Sequence, residues 1–152
     1  MTSPDPKSTA APAPKPVPAF PKPEITELNR PYWDALEQGH LVVQHCAAGH
    51  AWLPARRHCP TCLADAAGWR RASGRGRLVS WVVYHTAYHP AFESRLPYHV
   101  ALIELDEGPR LLSRVLDGHE RLQGGLRVEL AVSWEDGLAL PTFRLDPNQM
   151  LV

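Results

Sequence analysis

Six residues able to ligate a metal crowd one short stretch: His45, Cys46, His50, His58, Cys59 and Cys62. A tetrahedral zinc site needs four soft or borderline donors converging from two tight knuckles. Cys59-Pro60-Thr61-Cys62 meets that need, because the two-residue gap lets both thiolates point inward and Pro60 stiffens the turn. The other knuckle is irregular, with Cys46 followed four positions later by His50. The best ligand set is Cys46, His50, Cys59 and Cys62; His45 and His58 are poorer substitutes, since each abuts a ligand Cys. Three readings stay open here: a structural zinc, a degenerate ribbon that has lost its metal, and a catalytic zinc with an open position. No activating His/Glu shell accompanies the third. A bound zinc would fold a segment too small for a core of its own. The 3 Cys of the chain suit a metal site in a reducing compartment better than a disulfide framework.

Other chemistry is sparser. Ser73, Ser80, Ser94, Ser113 and Ser133 lie in no Gly-x-Ser-x-Gly elbow, so no nucleophile stands out. His85, Tyr88, His89 and His99 form the nearest thing to a reactive cluster, if two neighbouring strands bring them to one rim. Polar rim and interface contacts are the plainer use, and His85, Tyr88, His89 and Phe92 are candidate partner contacts. Arg70, Arg71, Arg75 and Arg77 make the densest positive group, chemically suited to gripping a phosphate but equally to a solvated surface or an acidic partner. Gly74 and Gly76 read as turn and barrel-corner residues, not a phosphate cradle.

The elements that must carry these residues follow from pattern. Of the 16 prolines, half fall in the first 23 residues, a stretch too poor in large apolar side chains to offset its ordering entropy; a disordered tail is expected over 1–23. Within 24–40, Tyr32, Trp33 and Leu36 recur at helical spacing, which predicts a short helix over about 30–38, capped near Asn29 and ended by Gly39. These three side chains would pack on the domain behind them or, alternatively, enter a partner's groove. Residues 41–72 show the irregularity of a metal ribbon. β-rich runs over 78–85, 98–105, 111–116, 128–134 and 138–143 predict a mainly β barrel spanning 73–145, with residues 146–152 as a C-terminal tail. The longest connection, 117–125, falls where an oligonucleotide/oligosaccharide-binding (OB) barrel inserts its helix or loop.

Charge narrows the class. The 16 Lys+Arg balance 16 Asp+Glu, so the basic excess of a phosphate-neutralising protein is missing. Trp81, Tyr84, Tyr88, Phe92 and Tyr98 could stack bases on an OB face, but basic residues do not interleave with them, and a hydrophobic protein interface fits better. No run approaches the roughly 18 apolar residues that span a bilayer, and the N-terminus lacks the apolar segment of a signal peptide, which predicts a cytoplasmic protein with no membrane partner.

Several of these motifs stand in a familiar order: Tyr32-Trp33, Gln44-His45-Cys46, Leu53-Pro54-Ala55-Arg56, Cys59-Pro60-Thr61-Cys62, Trp69, Ser73-Gly74-Arg75-Gly76, His89-Pro90-Ala91-Phe92, Leu96-Pro97-Tyr98 and Leu105-Asp106-Glu107-Gly108-Pro109-Arg110. Over about residues 24–144 the chain resembles the DUF35 family, whose members join a rubredoxin-like zinc ribbon to an OB-fold. The family's first knuckle usually reads Cys-x-x-Cys-Gly, and the second Cys is absent here, so either His50 replaces that thiolate or packing alone holds the ribbon. The resemblance implies an accessory subunit of a thiolase-superfamily enzyme that makes or breaks carbon–carbon bonds. Thiolysis of acyl-CoA, retro-aldol cleavage of steroid-type acyl-CoA and CoA-independent acetyl transfer to phloroglucinol-type phenols are the reactions it brings. It also implies a hetero-oligomer whose catalytic Cys and His belong to the partner, with Zn2+ as cofactor and CoA or acyl-CoA shared between subunits.

Overall fold

A computed structural model describes residues 12–16 and 18–150, so much of the expected tail lies outside the described residues. Helix α1 (Arg30–Glu37) carries Pro31 in its first turn, where the missing N–H breaks no helical bond. It ends as expected at Gly39, whose φ of +83° lets the Gly39 and His40 N–H groups turn back to Leu36 and Ala35 carbonyls at 2.9 Å. The expected side-chain cap is not formed. Asn29 instead accepts from the Thr26 N–H (2.8 Å) and donates to the Glu24 carbonyl (2.9 Å), tying down the preceding turn. Leu36 is fully buried in one cluster with Leu41, Leu78 and Phe143, and Tyr32 and Trp33 pack half-buried against it. The helix therefore spends its apolar stripe on its own domain. Leu36 has no surface left for a partner, which corrects its place among the candidate contacts.

The ribbon is a three-stranded antiparallel sheet with β1 (Val42–His45) between β2 (Ala51–Trp52) and β3 (Gly68–Arg71). Its own apolar cluster is only Cys46, Trp52 and Cys59, with Ala66 against them. So few side chains bury too little surface to hold a sheet. Gln44 helps: its buried Oε1 accepts from the Trp52 indole N–H (2.8 Å) and the Arg56 N–H (2.6 Å), pinning the loop that leads to the second knuckle.

The barrel sheet runs through β4 (Arg75–Tyr84), β5 (Tyr98–Leu105), β6 (Arg110–Ser113), β7 (Arg127–Leu130) and β10 (Phe143–Leu145), in the order β10-β7-β4-β5-β6. A parallel bridge between Val115 and Phe143 joins its two edges, backed by the Leu116 N–H to the Phe143 carbonyl (2.7 Å) and the Phe143 N–H to the Arg114 carbonyl (2.9 Å). At Gly76 a Cβ would collide with the Glu104 carbonyl oxygen of β5, so only glycine fits. The two last expected strands are each cut in two. β8 (Ser133–Glu135) and β9 (Leu138–Leu140) form a hairpin in the same register as β7 and β10, turning at Asp136 and Gly137 with φ of +47° and +78°. Pro141, which has no N–H to give the ladder, interrupts it. Among the described residues no helix is long and apolar enough to cross a membrane.

Candidate metal centre and the surfaces around it

Two reverse turns bring the donors together. In the first, the Gly49 N–H reaches the Cys46 carbonyl (2.9 Å) and the Cys46 N–H reaches the His50 carbonyl (3.1 Å), with Gly49 at φ +87°. In the second, the Cys59 N–H bonds the Ala64 carbonyl (2.8 Å) and the Leu63 N–H bonds the Cys59 carbonyl (2.9 Å). The Thr61 N–H points at the Cys59 sulfur at 3.4 Å.

The ligand atoms of Cys46, His50, Cys59 and Cys62 all lie within 4.8 Å of one another. The edges are telling: Cys46 Sγ to Cys62 Sγ is 3.8 Å, Cys46 Sγ to His50 Nδ1 is 3.4 Å, and Cys59 Sγ to His50 Nδ1 is 3.7 Å. A zinc tetrahedron with Zn–S near 2.3 Å and Zn–N near 2.0 Å has edges of about 3.8 Å (S–S) and about 3.5 Å (S–N), so these donors fit zinc in size as well as in softness. Burial pushes the Cys59 thiol up, but the N–H groups of Cys62 and Thr61 and the neighbouring thiols outweigh it and bring it down to about 6. His58 is turned away, its Nδ1 3.0 Å from Asp65 Oδ1, and His45 stays on β1 outside the cluster.

The remaining sequence candidates are dispersed. His99 lies on the inward side of β5, where burial alternates strictly, and its Nε2 accepts from the Val115 N–H (3.1 Å). His85 is exposed just past the end of β4, and His89 is used as a cap, its Nδ1 accepting from the Ala91 N–H (3.1 Å). Of the four, Tyr88 and His99 line one cavity, whereas His85 and His89 are not among its lining residues. Of the arginines, Arg75 sits 3.4 Å from Glu129 and Arg77 2.6 Å from Glu104, which Arg110 also grips at 2.7 Å. Arg110 first and Arg77 second hold the Glu104 carboxyl below the usual carboxylate range. Arg70 and Arg71 are exposed on β3, and Arg71 with Arg75 borders a cleft of about 260 Å³ between ribbon and barrel.

Two features escape a reading by sequence. Val82 and Leu112 are 54% and 70% exposed, and strand pairing sets them beside half-buried Val100 and Leu102 on the same face of β4, β5 and β6. The tail also does not hang free up to residue 23. Phe20 packs edge-on to Phe92 at 5.3 Å, under the Arg95 guanidinium at 4.2 Å.

Residues 33–66 match the family model described as the rubredoxin-like zinc ribbon domain of ChsH2, and residues 69–133 that of its C-terminal OB-fold domain. A DUF35 domain-containing scaffold protein of Pyrococcus furiosus is 31% identical over 76% of this chain and 90% of its own length. The chain belongs to the DUF35 family. This DUF35 chain is also 36% identical to a probable enoyl-CoA hydratase alpha subunit of Thermomonospora curvata, over 91% of its own length but only 44% of that protein's. A solved structure, the Ltp2-ChsH2(DUF35) aldolase, contains a chain 37% identical to it, with a TM-score of 0.71 over 82% of this chain and 98% of that one. The zinc ribbon with its Cys/His cluster and the OB-fold are therefore those of the family, with a three-Cys, one-His donor set in this member.

Proposed function

We propose that this DUF35 chain is the accessory subunit of a thiolase-superfamily complex that makes or breaks a carbon–carbon bond, the reacting Cys and His lying in the partner. The observation that carries the reading is the outward apolar face of β4, β5 and β6, with Val82 and Leu112 exposed, on a chain whose thiol–imidazole contacts all lie within the candidate metal centre. Likeness to the chain of an aldolase and to a hydratase subunit supports it. The partner's thiolase-like subunit covers that face, and Tyr88 and Phe92 at its end join the contact. Retro-aldol cleavage of an acyl-CoA is the reaction favoured by the aldolase likeness; thiolysis and acyl transfer to a phenol are the other outcomes for an assay.

Cys46, His50, Cys59 and Cys62 would hold a zinc whose chemistry is structural, standing in for the core that the ribbon lacks. Arg71 and Arg75, with Arg70 beside them, would meet the phosphates of CoA at the ribbon–barrel cleft. The chain works in the cytoplasm. Co-expression with the thiolase-superfamily protein of its own host, purified through a tag on this chain, tests the reading. A hetero-oligomer is expected, and a chain that returns alone overturns it.

A further inference from the structure

On the barrel, five rings run in unbroken contact: Phe20 on Phe92 (5.3 Å), Phe92 on Tyr98 (5.1 Å), Tyr98 stacked on Tyr84 (5.1 Å, 15° between planes) and Tyr84 on Tyr88 (5.9 Å). They line one side of a cavity of about 540 Å³, completed by Val100, Leu112, the β8–β9 hairpin and the stretch from Phe20 to Pro23. That volume falls in the range of small-molecule sites, and the walls come from separate parts of the chain, as such sites require.

Most of the charged and polar groups in the wall already have partners within the chain, while Lys22 and the hydroxyls of Tyr84, Tyr88 and Tyr98 also border it. Arg95 forks onto both oxygens of Glu135, and Arg114 lies 3.5 Å from the same carboxylate. The Ser113 hydroxyl donates to the Pro141 carbonyl and the Thr142 hydroxyl to the Ala131 carbonyl. Asp136 accepts from the Phe20 N–H (3.3 Å), and His99 from the Val115 N–H. A charged ligand seated against Arg95, Glu135 or Asp136 would have to break one of these pairs; a flat apolar ring would break none and would meet π-faces on one side.

We propose that this cavity is a binding site for an uncharged, ring-bearing apolar molecule, and that the Pro-rich N-terminal stretch, anchored by Phe20, is a strap that forms its last wall. The strap is held lightly, since Phe20 is half-buried while its flanking residues Pro18, Ala19, Pro21 and Lys22 are exposed. The site is complete in the chain alone, although Tyr88, Phe92, Val100 and Leu112 belong both to the cavity and to the surface assigned to the partner, so the test uses the chain without it.

The probe is N-phenyl-1-naphthylamine, an uncharged dye that brightens in apolar surroundings, titrated into the purified full-length chain. Saturable binding of one dye per chain is expected. Phe20→Ala and Tyr88→Ala should each weaken it roughly tenfold, the scale of a lost aromatic contact plus its buried area, whereas Leu63→Ser, on the ribbon's second knuckle, should not. Tyr88 is 82% exposed, so its removal takes nothing from the core, and a cooperative melt confirms that the variants fold. Dye that fails to saturate, or that binds both aromatic variants as tightly as the parent, overturns the proposal. Either result is independent of whether a thiolase-like subunit co-purifies.

Discussion

Arg95 grips Glu135 with two parallel hydrogen bonds, Nη1 to Oε1 and Nη2 to Oε2, both at 2.8 Å, across 40 residues of sequence. The pair fastens the 3-10 turn before β5 to the β8–β9 hairpin and so holds two walls of the aromatic cavity together. Bidentate geometry of this kind adds direction to charge.

Arg95 first, aided by Arg114 and opposed by burial, keeps the Glu135 carboxyl below its usual range. A carboxyl lowered on folding contributes stability above its unfolded value, near pH 4.3, and loses it as pH falls through the lower folded value. Both groups keep some solvent contact, so Glu135→Gln should cost only about 1–2 kcal/mol at pH 7. The variant's melting temperature should also fall less steeply than the parent's below pH 4.

His99 makes a second pH window. Burial first and His119 second hold its imidazole below the ordinary value, and its Nε2 already accepts the Val115 N–H, a bond that protonation would break. Unfolded chains protonate near pH 6.5 while the folded ring stays neutral, so the stabilisation is complete above that pH and is lost as pH falls towards the folded value. Melting temperature is expected to decline between pH 7 and 5.5 in the parent. In His99→Gln, whose amide oxygen can still accept, that decline should flatten while the Glu135 window remains.

Zinc content checks the ribbon. Elemental analysis should find one zinc per chain, and chelation should melt the ribbon before the barrel, because the metal substitutes for a core. Cys59→Ser should lower zinc affinity by more than the roughly 10–100-fold that outer-shell changes cost. His58→Ala, whose ring faces Asp65, should leave it unchanged. A folded parent without zinc would remove the four ligands from their assignment.

Much of this was legible in the residues themselves. Cys-Pro-Thr-Cys spacing, Gly39 as a helix end and the β-rich runs all act locally, and local chemistry survives into the fold. What was not legible depends on partners far apart in sequence. Leu36 reads equally as domain packing or as an anchor in a partner's groove until the barrel core closes on it, and His99 reads as a rim residue until strand alternation buries it. Phe20 sits in a stretch whose composition signals disorder, and nothing nearby announces Phe92 and Arg95 as its receptors. Pro141 was visible, yet its effect on the ladder follows only from the register.

Gly76 offers a further check on the barrel. With the Glu104 carbonyl where a Cβ would sit, Gly76→Ala must push β4 from β5. A loss of about 2–3 kcal/mol is expected in denaturant unfolding, against a few tenths for the exposed Gly137→Asn, which keeps a residue tolerant of positive φ.

The accessory-subunit account is tested most directly by paired affinity captures from the native host with the parent and Leu112→Glu as baits, each identified and quantified by mass spectrometry. Leu112 is 70% exposed, so the charge should leave the fold intact while spoiling the apolar face. The account predicts a thiolase-superfamily subunit in near-equal amount with the parent and its loss with Leu112→Glu. A parent that comes back alone, or a partner retained equally by both baits, would contradict it.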